Sequence, residues 1–142
     1  SENEADIITI CGMGGRLIAD IVTKGMNVIT RNTTLIVSPQ SEVGDFRHFL
    51  VSQRLVVDDE KMLKEDGKYY FIIKCRKSDE NVYSEYSETQ YQYGWKLLKE
   101  KETNDGISNS LKKDESNPTV KLRLQQLLQK NNIIMDALSY FD

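Results

Sequence analysis

The chain has 142 residues, of which 39% are hydrophobic and 29% charged, enough for one domain with a core. Its formal net charge is -3, which excludes a wholly basic nucleic-acid-binding surface but leaves room for a local basic patch. No apolar run reaches the roughly 20 residues of a membrane helix, and no signal peptide is visible, so we expect a cytoplasmic protein.

The first half of the sequence alternates strand and helix patterns. Ile7 to Cys11 is an apolar run typical of a strand covered on both faces, and Gly25 can end the helix that follows. Thr33 to Val37 predicts a second strand stopped by Pro39, and Ser41 is the expected cap of a second helix. This order predicts an α/β fold with parallel strands and crossover helices.

The second half changes character. Arg54 to Lys77 holds two extended stretches around Asp66-Gly67, which is a strong hairpin signal. The polar stretch from Thr103 to Ser116 predicts a mobile insertion, and Asn117-Pro118 predicts the start of a final helix. Apolar residues of that helix alternate at spacings of four and three, as in a coiled coil, with Asn131 filling one gap: Val120, Leu124, Leu127, Ile134 and Leu138.

Metal and disulfide chemistry finds little support. Cys11 and Cys75 are the only cysteines, and each lies in an apolar strand pattern, so two buried free thiols are expected. The run Asp58-Asp59-Glu60 is expected to be a solvated strand edge, and His48 is expected to be structural or exposed. We therefore predict no metal site.

A glycine-rich loop, Gly12-Met13-Gly14-Gly15, follows the first strand directly. Glycines at the carboxyl end of a strand let the backbone approach a ligand, and the next helix N-terminus favours negative charge. However, the loop is not a complete Gly-x-Gly-x-x-Gly motif, and no acidic residue ends the second strand about 20 positions later. Taken alone, the loop fits a ligand-facing segment and a plain tight turn equally well.

Three stretches occur in the order found in one family: ADIITICGMGGRLIADIV, LIVSPQSEVGDFRHFL and EDGKYYFIIK. Over roughly Ala5 to Lys77 the chain resembles the second half of the bacterial tRNA (adenine-22 N1)-methyltransferase family, a class I group that uses S-adenosylmethionine. The resemblance implies an α/β fold, the carboxyl-terminal half of a Rossmann-like sheet that ends in an antiparallel hairpin. It divides the chain into a partial methyltransferase domain, 1–77, and a linker, polar insertion and C-terminal coiled-coil-like helical segment, 78–142.

The resemblance also assigns roles to the glycine loop. Such a fold carries the methyl-accepting base at the tip of the strand that ends here at Met13. Gly12, Met13 and Gly14 are thereby implied as catalytic residues. The same three residues and Gly15 are implied to border the cofactor, S-adenosylmethionine.

Three further residues are implied to bind substrate: Pro39 and Gln40 at the second strand tip, and Arg47 on the second helix. The family pattern at that tip resembles Leu-x-Gln-Pro-Asn, whereas this chain has Ser38-Pro39-Gln40. Phe71 stands where the hairpin often has an acidic residue. For Arg47 the alternative is a surface salt bridge.

The implied reaction is methyl transfer from S-adenosylmethionine to adenine N1 in tRNA, which depends mainly on alignment and on unstacking the base. We expect this chain alone to be a poor enzyme that associates with an N-terminal half or with another copy, because the first three strands of such a sheet are lacking. One alternative is a degenerate, non-catalytic module that binds RNA or protein. Another is a class I methyltransferase with a different substrate.

Two groups outside the loop bear on RNA binding. One is aromatic and is predicted to pack between the α/β body and the final helix rather than to stack on bases: Tyr83, Tyr86, Tyr91, Tyr93 and Trp95. The other is basic and either contacts tRNA phosphates or forms a solvated helix face: Lys112, Lys113, Lys121, Arg123 and Lys130.

Overall fold

The computed structural model describes residues 4–79 and 85–141, with the backbone alone described at 141. The elements, in chain order, are β1 Ile7–Met13, α1 Gly15–Lys24, β2 Thr34–Pro39, α2 Val43–Ser52, β3 Leu55–Glu65, β4 Lys68–Lys77, α3 Glu88–Tyr93, α4 Trp95–Leu111 and α5 Pro118–Phe141. They form two compact units, 1–95 and 96–142. In the described part of the chain, no helix combines the length and apolar character needed to cross a membrane.

The first unit is built on a four-stranded sheet with the order β1-β2-β4-β3. β1 and β2 are parallel, with Ile7 opposite Thr34 and Ile10 opposite Val37. β4 runs antiparallel to both β2 and β3. The turn at Asp66 and Gly67 has two positive φ angles, 48° and 76°, as two-residue hairpins favour. The predicted α/β sheet closed by an antiparallel hairpin is therefore confirmed.

Apolar stripes on α1 and α2 account for the core of this unit. Residues spaced three or four apart on a helix share one face, and these stripes are buried together with alternate residues of β2 and β4. Fully buried members of this core include Ile18, Val22, Leu35, Val37, Phe46, Leu50, Phe71 and Ile73. α3 also belongs to this unit, so the unit continues past Lys77.

Three local expectations for this unit are wrong. β1 lies at the edge of the sheet and alternates between exposed and half-exposed residues, so it is not covered on both faces and Cys11 is exposed. Ser41 does not cap α2, because Glu42 precedes the helix in a left-handed conformation. Glu60 is buried, although its neighbours Asp58 and Asp59 are exposed as expected.

In the second unit the predicted mobile insertion is wrong, because α4 extends through it to Leu111 and a 3₁₀ turn follows. A tertiary contact overrides the weak helix propensity of Asn and Ser here. Asn104 donates a hydrogen bond to Asn131 at 3.1 Å, and Asn131 donates to Asp105 at 2.6 Å.

The final helix begins as predicted, since the Asn117 side chain accepts a hydrogen bond from the Thr119 amide at 3.0 Å. Buried residues of α5 include Leu127, Asn131 and Ile134, all members of the predicted seam. The coiled-coil assignment itself stays a prediction.

The two cysteines should react very differently. Burial raises the pKa of Cys75 to about 12, with a smaller contribution from the Asp58 carboxylate, whereas Cys11 is exposed. Because the thiolate is the reactive species, we expect a thiol reagent at pH 8 to label Cys11 quickly and Cys75 only after unfolding. Cys11→Ser should remove the fast phase. Equal labelling rates in the native protein would contradict this arrangement.

Candidate functional site

Two loops meet where β1 and β2 end, because parallel strands end on the same side of a sheet. We call this place the strand-end edge. The first is Gly12–Gly15, from the end of β1 to the start of α1, and the second is Pro39–Glu42, from the last residue of β2 to the residue before α2. The backbone amide of Gln40 donates a hydrogen bond to the Met13 carbonyl at 2.9 Å, and the backbone amide of Gly15 donates one to the Ser41 carbonyl at 2.9 Å. The structure thus brings together six of the seven residues predicted as site residues.

Gly12 is the open point of this edge. The pairing of β1 with β2 shifts between Cys11 and Met13, so Gly12 lies in a bulge, and its φ is +79°. A Cβ added at Gly12 would meet no atom of the described residues within 4 Å. Bulges beside functional sites often redirect the backbone. Only here does the glycine loop offer the close approach that the sequence predicts for a ligand.

The space that a side chain on Gly14 or Gly15 would need is instead occupied, mainly by the second loop. A Cβ on Gly14 would lie 2.7 Å from the Ser41 hydroxyl oxygen. A Cβ on Gly15 would lie 2.7 Å from the Glu42 carbonyl oxygen and 3.0 Å from the Phe46 Cβ. The absence of side chains at these two positions lets the loops pack against each other. The tight-turn interpretation therefore fits Gly14 and Gly15, and the ligand-facing one fits Gly12.

Glu42 belongs to this edge, and sequence reasoning missed it. Its backbone is left-handed, with φ 54° and ψ 38°, a conformation that non-glycine residues rarely adopt. Its Oε2 accepts a hydrogen bond from the Arg16 amide at 3.3 Å, at the N-terminus of α1. A helix N-terminus favours such a carboxylate. A cavity of about 290 Å³ beside it is lined by Gly15, Arg16, Ala19, Glu42, Asp45 and Phe46.

The second strand tip exposes one polar side chain. Ser38 and Pro39 are buried, whereas Gln40 is exposed. Of the residues predicted to bind substrate, Gln40 is thus the one whose side chain is available at the edge. Its side-chain amide nitrogen can donate hydrogen bonds, and its side-chain oxygen can accept them.

Arg47 lies apart from this edge, inside the unit. Its side chain is 0% exposed, and its Nε donates to the Glu60 Oε1 at 2.9 Å. The surface location proposed for an Arg47 salt bridge is therefore wrong, because both partners are buried. Burial lowers the pKa of the Arg47 guanidinium, and the Glu60 carboxylate opposes that shift. The guanidinium carbon also lies 4.8 Å from the ring centroid of Phe71, the residue that replaces an acidic one in the family pattern.

The other candidate groups make contacts within the first unit. His48 is half-exposed, stacks on Tyr91 at 3.6 Å between ring centroids, and contacts Glu88 at 3.3 Å. Tyr86 and Trp95 stack at 4.1 Å. Tyr83 lies outside the described residues. Among the described residues, no group of His, Cys, Asp and Glu is arranged to hold a metal ion.

A family model for tRNA (adenine(22)-N(1))-methyltransferase matches residues 1–139. A curated tRNA (adenine(22)-N(1))-methyltransferase of Bacillus subtilis (strain 168) is 39% identical over 81 residues, which are 57% of this chain and 34% of that protein.

Two solved structures share the fold. The crystal structure of the Bacillus subtilis M1A22 tRNA methyltransferase has a TM-score of 0.57 and 25% identity, covering 97% of this chain and 65% of that one. A Streptococcus pneumoniae protein solved in complex with S-adenosyl-L-methionine has a TM-score of 0.58 and 27% identity, covering 94% of this chain and 60% of that one. The chain thus spans about a third of the curated relative and less than two thirds of each structure.

The loop packing can be tested with two matched substitutions. A methyl group at Gly15 would press on backbone atoms that cannot move aside, so we expect Gly15→Ala to destabilise the protein by roughly 1–3 kcal/mol. Gly14→Ala meets the Ser41 oxygen, which a change of the Ser41 rotamer can move, and the Glu42 Oε2 at an ordinary 3.6 Å, and its backbone is already extended, so we expect less than about 1 kcal/mol. Urea unfolding measures both. A larger cost at Gly14 would contradict the packing.

Proposed function

Because the chain belongs to the tRNA (adenine(22)-N(1))-methyltransferase family, we propose that it forms part of an enzyme that methylates adenine N1 in tRNA, using S-adenosylmethionine. The observation that carries this proposal is the edge where the two parallel strands end, with Gly12 open and Gln40 exposed beside it. A tRNA-modifying role places the protein in the cytoplasm.

Gly12, Met13 and Gln40 are the residues proposed to border the reacting groups. The absence of a side chain at Gly12 gives a flat base or the cofactor room to approach the backbone. Met13 is half-buried and offers a soft apolar contact, and Gln40 offers hydrogen bonds to a base edge. Three other residues are proposed to pack the two loops together and not to touch substrate: Gly14, Gly15 and Pro39.

The reaction asks for alignment more than for acid–base catalysis. Adenine N1 carries a free lone pair at neutral pH, and S-adenosylmethionine supplies an electrophilic methyl group. The protein must hold N1 in line with that methyl group, and such positioning can contribute several kcal/mol. A rigid edge of cross-bonded loops suits this task, since a misplacement of about 1 Å can cost a factor of about 100 in rate.

The free edge of β1 is proposed to pair with a further strand of the methyltransferase sheet, from a longer chain or from a second copy. In the described residues β1 has β2 as its one neighbour. Ile7 is 63% exposed on this strand, and Leu17 is 52% exposed on α1. Unpaired strand edges of this kind readily accept another strand.

The second unit is proposed to contact tRNA through five exposed basic residues: Lys112, Lys113, Lys121, Arg123 and Lys130. Lys112 and Lys121 also line a groove of about 380 Å³ between α4 and α5. Lysine and arginine contacts to phosphates supply most of the sequence-independent affinity for nucleic acids.

Methyl transfer tests the proposed enzyme. The chain would be assayed alone and joined behind the amino-terminal part of the Bacillus subtilis relative, with tRNA carrying adenine or guanine at position 22. We expect N1-methyladenosine at position 22 from the joined protein and little from the chain alone. If the joined protein is folded and binds tRNA but transfers no methyl group, the enzyme proposal fails and a non-catalytic RNA-binding module remains.

Two glycines with the same backbone strain isolate the role of Gly12. Gly12 and Gly67 have φ angles of +79° and +76°, and a Cβ on either meets open space. Alanine therefore adds similar strain at both positions, but only Gly12 lies at the proposed site. In the joined protein we expect Gly12→Ala to lower the rate of methyl transfer about tenfold or more, and Gly67→Ala to leave it within about twofold. Equal losses would remove Gly12 from the site.

Salt dependence tests the proposed tRNA surface. Lys112→Ala with Lys121→Ala should weaken tRNA binding and flatten the plot of log affinity against log salt concentration, since fewer counterions are released. The matched control is Lys61→Ala with Lys64→Ala on the hairpin, where both lysines are also exposed. Binding titrations at several salt concentrations give both slopes. An unchanged slope for the first pair would contradict the proposed contact.

A further inference from the structure

The buried pair of Arg47 and Glu60 does more than neutralise two charges. Besides Glu60, the guanidinium binds two backbone carbonyls: its Nη1 donates to Tyr91 at 2.9 Å and to Gln92 at 2.8 Å. These two hydrogen bonds hold the segment Glu88–Gly94 against a side chain of α2. One fork-shaped cation with donors in fixed directions can satisfy a carboxylate and two carbonyls together, which a lysine cannot do.

Gly94 closes over this pair. Its φ is +88°, and a Cβ there would lie 2.6 Å from the Glu60 Oε2 and 2.8 Å from the Arg47 Nη2. Among the described residues, neither of these two buried atoms has a hydrogen-bond partner. The segment must therefore pass at this point as bare backbone, pressed onto the ion pair.

The same segment lies next to the strand-end edge. A Cβ on Gly44 would lie 3.4 Å from the Gln92 Cα, and Gly44 is only two residues beyond Glu42. Arg47 thus holds a stretch of chain that borders the start of α2, where the second loop of the site ends.

Tyr91 of that segment meets three aromatic rings from outside it, and we call the four together the aromatic wall: His48 of α2, Tyr86, Tyr91 and Trp95. Tyr91 stacks on His48, and its ring meets those of Tyr86 and Trp95 edge-on, at 5.9 and 6.0 Å. His48, Tyr86 and Tyr91 are half-exposed. Aromatic side chains beside a site are the usual contacts for unstacked bases in RNA recognition.

We propose that Arg47 is a positioning residue: with Glu60 it fixes the backbone of Tyr91 and Gln92, and so holds the aromatic wall where nucleotides next to the target adenine pass. This inference rests on the proposed function and gives Arg47 an indirect role in place of direct substrate contact. Gly94 is part of the same device, because any side chain there would force the segment off the ion pair.

The test uses the full chain and its single tryptophan, Trp95, as a local reporter. Arg47→Lys keeps the positive charge but loses the fork. Arg76→Lys is the matched control, since Arg76 pairs with Asp58 at 3.0 Å in a partly exposed position. We expect Arg47→Lys to change Trp95 fluorescence and to speed hydrogen exchange at the Tyr91 and Gly94 amides by about tenfold or more, with β4 amides unchanged. Arg76→Lys should do neither.

Gly94→Ala is the second variant, because it keeps both charged partners and so separates positioning from loss of the pair. It should also change Trp95 fluorescence and speed hydrogen exchange at the amides of Tyr91 and residue 94. A rise in exchange spread evenly over the sheet in both variants would mean a general loss of stability and would overturn the positioning role. So would unchanged exchange in the segment.

Binding of tRNA then links the segment to function. We expect Arg47→Lys and Gly94→Ala to weaken tRNA affinity about tenfold and Arg76→Lys to leave it within about twofold. If the wild-type chain binds tRNA and the two variants bind equally well, the aromatic wall does not contact RNA and this inference fails alone. If the wild-type chain binds no tRNA, the proposed function and the RNA role of the wall fail together, while the fluorescence still reports whether Arg47 holds the segment.

Discussion

The parallel pairing of β1 with β2 is the constraint on which the rest of the site depends. Because both strands end on one side, their loops are forced into contact, and two amide-to-carbonyl bonds of 2.9 Å join them. The absence of a side chain at Gly15 permits this approach, since the Glu42 carbonyl and Phe46 occupy the space. Gly12 is then left as the open position. One short motif therefore serves two purposes, loop packing at its end and ligand access at its beginning.

The buried ion pair of Arg47 and Glu60 is a second constraint. Arg47 and Glu60 are fully buried, and such a pair is a weak source of stability but costly to break. Its value here is geometric, because the guanidinium fixes two carbonyls of the segment that follows the hairpin. This segment lies beside α2. Because the chain belongs to a tRNA methyltransferase family, the ion pair that holds the segment is proposed to affect tRNA binding.

Much of the fold could be predicted because local signals agreed with tertiary structure. The apolar runs, the Asp66-Gly67 turn and the Asn117-Pro118 start all depend on neighbours in sequence, and all were confirmed. Two of the failures depend on distant partners. α4 is helical where its polar sequence predicts mobility, because Asn104 meets Asn131 from another helix. The burial of Arg47 depends likewise on residues more than 40 positions away, which no local pattern reveals.

The proposed enzyme requires the target base to lie at the strand-end edge. The most direct measurement is photocrosslinking of the protein to tRNA that carries a photoreactive adenosine analogue at position 22, with the attachment sites mapped by mass spectrometry. Attachment to Gly12, Met13 or Gln40 is the predicted result, because Gly12 and Gln40 are exposed at the edge and the half-buried Met13 adjoins Gly12. Attachment confined to residues 96–141, with none at either loop, would contradict the central claim.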